Sequence, residues 1–128
     1  MKWILSLVSV LALLFTLIIN NWESPESVCK SSSRDTSYCR YKGVIEEIYV
    51  NSDQLLLLKL KSDFGKESAK IIGYEVSSGR HMALDLTREE NKAMFSLVLS
   101  AFESNRSVEL HARGLTKSYL TIDRIWVR

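Results

Sequence analysis

The chain has 128 residues, with 17 Lys or Arg against 15 Asp or Glu, so its formal net charge is +2. Charges of both signs are interspersed, which argues against non-specific binding to nucleic acid, because such binding needs a basic face. Roughly 100 to 110 residues remain after an apolar N-terminal segment, enough for one modest hydrophobic core but not for a second domain.

Residues 1–21 are predicted to be an export segment. Lys2 precedes an almost wholly apolar run over residues 3–19, which is the pattern of a signal peptide. The run has roughly 17 residues, which is also the lower limit for a membrane-spanning helix, and no clear small-x-small cleavage site follows it. A cleaved signal peptide and an uncleaved inner-membrane anchor therefore both remain open. In either case Lys2 stays inside and the rest of the chain is exported across a bacterial inner membrane.

Residues 22–37 are polar and serine-rich, include the single proline, and are predicted to form an irregular leader. The two cysteines are Cys29 and Cys39, and an exported chain meets an oxidising compartment. We therefore expect a disulfide that ties the leader to the first strand and adds roughly 2–3 kcal/mol to stability. The alternative is a metal or redox pair, which lacks a matching ligand spacing and a nearby histidine.

The rest of the chain, residues 38–128, is predicted to be mainly β with one helix. Alternating apolar residues and intervening turn signals predict five strands, over residues 39–50, 54–61, 69–77, 106–113 and 119–127. Thr87 and Glu90 fit a capping box, which predicts a helix ending near Ser104, between strands three and four. This order is that of the OB-fold, a five-stranded Greek-key barrel that commonly serves as a binding module.

The predicted helix has a wider apolar surface than one barrel needs. At about 100° per residue, its apolar side chains cover an arc of roughly 200°, whereas a helix resting on one surface needs a stripe nearer 100°. The excess is expected to meet loops of the same barrel or a neighbouring subunit, and we expect a homo-oligomer. The predicted interface positions are Met94, Phe95, Val98, Leu99 and Phe102.

The sequence gives little support for catalysis. His81 is predicted in a turn and His111 on the polar face of the fourth strand, both at surface positions. The chain contains no nucleophile-elbow, HExxH, phosphate-loop or dinucleotide-binding motif. We therefore expect no enzymatic activity, no cofactor and no metal.

Candidate ligand-binding residues lie at the start of the first strand, beside the second cysteine. Carbohydrate binding requires aromatic platforms flanked by polar hydrogen-bonding groups, and Tyr38, Arg40 and Tyr41 supply both. The alternative interpretation of these residues is an ordinary barrel rim. Tyr119 and Trp126, on the last strand, are interpreted as core or subunit contacts.

Several segments resemble a known family in order and spacing: residues 44–50, residues 71–77 and residues 105–111, with a helix through Phe95 and Phe102. The chain is similar over most of its length after the leader to the binding (B) subunits of bacterial AB5 toxins. The likeness is closest to the subtilase cytotoxin B subunit and the typhoid toxin group. It implies a homopentamer whose helices line a central pore, binding of sialylated or other cell-surface glycans, and a toxin A subunit as a partner.

The chain also departs from that family. Tyr41 stands where the subtilase-type subunits have a serine that contacts sialic acid, and Cys39 and Arg40 replace the preceding tyrosines. The sequence ends without the family's further C-terminal cysteine pair. The alternative function is therefore a membrane-anchored periplasmic scaffold or protein-interaction module that does not bind glycans.

Overall fold

Seven strands form one sheet in the computed structural model, which describes residues 27–31 and 37–128. They are β1 (Ser27–Lys30), β2 (Tyr38–Gly43), β3 (Ile45–Val50), β4 (Leu55–Leu60), β5 (His81–Asp85), β6 (Val108–Thr116) and β7 (Tyr119–Val127). Two helices accompany them, α1 (Lys66–Ile71) between β4 and β5 and α2 (Asn91–Glu103) between β5 and β6. The described part of the chain is therefore mainly β, as predicted.

The strand pairings, together with the chain connection from β2 to β3, link the strands in a ring. The order is β1-β2-β6-β7-β5-β4-β3, and every neighbouring pair is antiparallel except β5 with β7. Val44 alone separates β2 from β3, so one continuous segment pairs with β6 at its start and with β4 at its end. That segment closes the ring with β4, β5, β7 and β6, while β1 is added outside β2.

The bend between β2 and β3 depends on one glycine. Gly43 has a φ of +156°, and a Cβ built there would lie 2.8 Å from Cζ of Tyr41. Tyr41 is fully buried, and its hydroxyl donates a hydrogen bond to the carbonyl oxygen of Val44 at 3.2 Å. Tyr41 therefore occupies the space beside Gly43 and holds the bend from within.

The hydrophobic core lies inside the ring and under α2. Alternate residues of β4 point inwards, so Leu56, Leu58 and Leu60 are fully buried. Val98 brings α2 onto the same core. Complete burial of each such side chain contributes roughly 1.5–3 kcal/mol. The helix is thus fixed to the sheet by its own inward face.

The predicted third strand, residues 69–77, is wrong. Those residues contain the end of α1 and an irregular segment, and the third strand of the ring is β5 instead. The helix follows Gly65, whose φ of +92° turns the chain into it, and its residues Lys66–Ile71 are mostly good helix formers. Ala69 is buried while Ile71 is 86% exposed, so the apolar run does not form the inner face of a strand.

The predicted capping box at the start of α2 does not form. The helix begins at Asn91, and the Thr87 hydroxyl donates to Oδ1 of Asp85 at 2.6 Å instead of capping a helix. Asn91 is buried, and its Nδ2 donates to the carbonyl oxygen of Asp85 at 2.7 Å. Asp85 therefore organises a turn that delays the helix by about one turn.

The count of five strands and one helix is also wrong. The first predicted strand is divided at Val44 into β2 and β3, and β1 lies within the leader predicted to be irregular. The helix α1, which precedes α2 in the chain, was not predicted.

The predicted disulfide is confirmed. Cys29 and Cys39 are directly opposite in the β1–β2 pairing and are bonded to each other. The part of the leader that forms β1 is therefore tied to the sheet by backbone pairing as well as by the covalent bond.

The predicted export segment, residues 1–21, lies outside the described residues. Within residues 27–31 and 37–128, no helix combines the length and the apolar character needed to cross a membrane.

Candidate ligand-binding face

Three aromatic rings meet on the outer face of β2, β6 and β7. The ring of Tyr38 stacks on that of His111, with centroids 5.4 Å apart and planes inclined by 20°. Trp126 meets His111 edge-on at a centroid distance of 4.7 Å and is 39% exposed. We call Tyr38, His111 and Trp126 the aromatic cluster. It offers partly exposed ring surface to a ligand.

Cationic side chains surround the aromatic cluster. Arg40 lies opposite His111 across the β2–β6 pairing, and Arg124 lies opposite it across β6–β7. Arg124 donates a hydrogen bond to the carboxylate of Asp123 at 3.0 Å, whereas Arg40 and Arg113 make no ion pair with any residue that the structure describes. The face therefore presents positive charge suited to an anionic group.

A hollow of about 230 Å³ opens beside the cluster. It is lined by Tyr38, His111, Ala112, Arg113, Asp123 and Arg124. Pockets for drug-sized ligands occupy about 300–1,000 Å³, so this hollow suits a single ring or one acidic substituent of a larger ligand.

A buried carboxylate lies beside the cluster. Glu109 is 8% exposed although it is on the outer face of β6, and it accepts hydrogen bonds from Nη2 of Arg128 at 3.0 Å and Nε2 of His111 at 3.2 Å. The ammonium group of Lys42 lies 3.8 Å away. Burial opposes ionisation of Glu109, but the hydrogen bond from His111 and the charges of Lys42 and Arg128 outweigh it, so its pKa is lowered.

The ionised Glu109 fixes the orientation of His111. A carboxylate accepts hydrogen bonds but donates none, so the proton of a neutral His111 must lie on Nε2. Its Nδ1 is then an acceptor. The ring is held between Tyr38 and Trp126 with a defined tautomer.

The sequence-predicted binding residues separate into two groups. Tyr38 and Arg40 lie on the outer face beside the cluster, while Tyr41 points the other way into the core and is fully buried. His111 and Trp126 were not predicted as binding residues. The alternation of β6 placed His111 outwards correctly, but strand pairing alone brings it to Tyr38 and Trp126.

The predicted interface positions lie along α2: Met94, Phe95, Val98, Leu99 and Phe102. Val98 is fully buried in the chain's own core, and Met94 and Phe95 pack partly against that core. Phe102 is exposed, as is Leu97, five residues before it. Much of the wide apolar arc is therefore covered by the chain's own core, and its exposed members include Leu97 and Phe102.

The search for metal-binding groups and the comparisons with known proteins both gave negative results. Residues 27–31 and 37–128 contain no group of three or more His, Cys, Asp or Glu side chains that could hold a metal ion. Comparison of the chain with protein-family models, curated proteins and solved structures found no match.

Proposed function

We propose that this chain is an exported, non-enzymatic binding module of the OB-fold type that binds acidic carbohydrate. The fold proposal is supported by the ring of pairings, in which the segment formed by β2 and β3 acts as one bent first strand. The position of α2 between the third and fourth segments of that ring also agrees with a Greek-key barrel of this type.

The observation that carries the ligand proposal is the aromatic cluster flanked by arginines. Sugar rings present apolar C–H surface that packs on aromatic faces, while their hydroxyls need hydrogen-bonding partners nearby. Arg40 and Arg113 add cationic donors, and a guanidinium pairs with a carboxylate through two parallel hydrogen bonds. An acidic sugar such as a sialic acid matches both features.

The test compares an acidic oligosaccharide with its neutral counterpart on the full chain. We expect 3′-sialyllactose to bind more tightly than lactose in calorimetry or ligand-observed NMR. Arg40→Ala should weaken binding of the acidic sugar by about tenfold, the equivalent of roughly 1.4 kcal/mol for one charge-assisted hydrogen bond. Tyr38→Ala should weaken it through lost stacking.

Lys70→Ala is the matched control, because this exposed lysine in the last turn of α1 removes one positive charge outside the face. Equal affinity for both sugars, or equal effects of Arg40→Ala and Lys70→Ala, would contradict the proposal.

We further propose a homo-oligomer, and the resemblance to AB5 binding subunits implies a pentamer with a toxin A subunit as a partner. Exposed Leu97 and Phe102 on α2 support a contact between copies. The native mass of the exported protein tests this proposal. Phe102→Asp should shift that mass to a single chain, and a native mass of one chain in the unaltered protein would refute it.

The second candidate is a membrane-anchored periplasmic scaffold, which the apolar run over residues 3–19 favours. It predicts that residues 1–21 are retained and that the protein fractionates with the inner membrane. A mature N-terminus between about residues 20 and 28, in periplasm or medium, would count against it.

A further inference from the structure

A second groove lies on the outer face of β3, β4 and β5. It has a volume of about 420 Å³. Tyr49 forms one wall and is 49% exposed, while Tyr119 forms the other and meets His81 edge-on at a centroid distance of 6.2 Å. Leu57 lies opposite Tyr49 in the β3–β4 pairing and supplies an apolar floor. We call Tyr49, Leu57, His81 and Tyr119 the tyrosine groove.

The polar groups near the groove are held by contacts that leave hydrogen-bonding atoms available. Oδ1 of Asn51 accepts bonds from the backbone N–H groups of Asp53 and Leu55, at 3.0 and 3.1 Å, so its amide nitrogen remains a donor. Nδ1 of His81 bonds the hydroxyl of Ser78 at 2.7 Å, which leaves Nε2 for another partner. The groove therefore has oriented polar groups beside its aromatic walls.

The charges around the groove are balanced. Lys117 pairs with Asp53 at 3.5 Å, and Lys59 lies 3.8 Å from Glu46. Glu47, which also lines the groove, lies opposite Lys59 in the strand pairing. This surface differs from the arginine-rich face around the aromatic cluster, and it favours an uncharged ligand.

The turn beside the groove has an unusual backbone. Lys117 and Ser118 join β6 to β7 with φ values of +47° and +66°, a conformation in which glycine or asparagine is usual. Lys117 lines the groove and Tyr119 follows directly after this turn. The strained turn thus places both residues at the groove.

We propose that the tyrosine groove is a second carbohydrate site, which binds a neutral oligosaccharide with separate sugar rings packed on Tyr49 and Tyr119, because β4 and β5 lie between the strands that carry these tyrosines. Aromatic walls, an apolar floor and oriented polar groups are the features that sugar recognition uses. Tyr119 and Trp126 are at opposite ends of β7, up to about 23 Å apart at roughly 3.3 Å per residue. A single sugar ring therefore cannot occupy both sites.

The test uses maltotriose and N,N′-diacetylchitobiose as neutral probes of the full chain, in a detergent without a sugar headgroup. Saturation-transfer NMR should show binding of at least one probe. Tyr49→Ala should weaken that binding by about tenfold, and Tyr49→Phe should retain most of it, because the ring supplies the stacking surface.

Val50→Ala is the matched control, since Val50 follows Tyr49 on β3, is 48% exposed and does not line the groove. Arg40→Ala should leave the neutral probes unaffected, and Tyr49→Ala should leave the advantage of 3′-sialyllactose over lactose unchanged. The proposals for the two sites can therefore be refuted independently of each other. Absence of binding for both neutral probes, or equal effects of Tyr49→Ala and Val50→Ala, would overturn the second site.

Discussion

Replacing Glu109 by glutamine removes the negative charge beside the aromatic cluster while keeping the size of the side chain. In the native chain this carboxylate accepts charge-assisted hydrogen bonds from Arg128 and His111, at 3.0 and 3.2 Å, with the ammonium of Lys42 at 3.8 Å. Such bonds are roughly twice as strong as neutral ones. A glutamine oxygen retains one of them, but its amide group faces the other donor.

The expected loss in the free energy of unfolding follows from those contacts. A net neutral hydrogen bond is worth about 0.5–1.5 kcal/mol. Lys42 and Arg128 have exposed side chains that water can solvate once the charge is gone, which limits the loss. We therefore expect Glu109→Gln to lower the free energy of unfolding by about 2 kcal/mol at neutral pH.

The lowered pKa of Glu109 also predicts how this difference in stability depends on pH. The pKa of Glu109 is lowered in the folded chain from its ordinary value of 4.5, so its ionised form is favoured by folding. Its contribution is fully present above that ordinary value and is lost as the pH falls through the lower folded-state pKa. The difference between the wild type and Glu109→Gln should consequently narrow as the solution becomes more acidic than pH 4.5.

The assay is urea unfolding of the disulfide-bonded protein at a series of pH values, followed by tryptophan fluorescence. Glu75→Gln is the control, because this exposed carboxylate lies in the loop before β5 and makes no ion pair within the described part of the chain. A difference that stays constant between about pH 7 and about pH 3 would refute the reasoning, as would a Glu109→Gln variant as stable as the wild type.

Two further predictions concern the bend and the disulfide. Gly43→Ala should lower the free energy of unfolding in urea by about 1–3 kcal/mol, because the new Cβ would lie 2.8 Å from Cζ of buried Tyr41. Gly114→Ala, with φ +77° but no atom within 4 Å of the added Cβ, should cost less in the same urea unfolding assay. Replacing both Cys29 and Cys39 by serine should remove about 2–3 kcal/mol, and a reductant should destabilise the wild type equally while leaving the double variant unchanged.

The sequence predicted those elements whose signal is local. The outward positions of Glu109 and His111 follow from the period of two along β6, and the long apolar repeat predicted α2. β5 was missed because Met82, Ala83 and Leu84 are all fully buried. A strand buried on both faces shows no alternation, so its short apolar run could not be recognised by period.

The candidate site was predicted less completely than the fold. Tyr38 and Arg40 were identified from their residue types, but Tyr41 was assigned with them although the same alternation sends it into the core. His111 and Trp126 join Tyr38 through the pairing of three strands that are distant in sequence. Pattern within one strand predicts which side a residue faces, but not which strand will lie beside it.

The buried state of Glu109 bears on function as well as on stability. A sheet face that met only solvent would leave its carboxylates hydrated, whereas removing one from water costs free energy that partners must offset. Here the cost of burying Glu109 is offset by contacts with Lys42, Arg128 and His111. What the arrangement achieves is a fixed His111 ring between Tyr38 and Trp126, and rigid support of this kind keeps contact residues in position for a ligand. Glu109→Gln should therefore weaken binding of 3′-sialyllactose even where the fold is retained, which an ordinary solvated barrel rim would not predict.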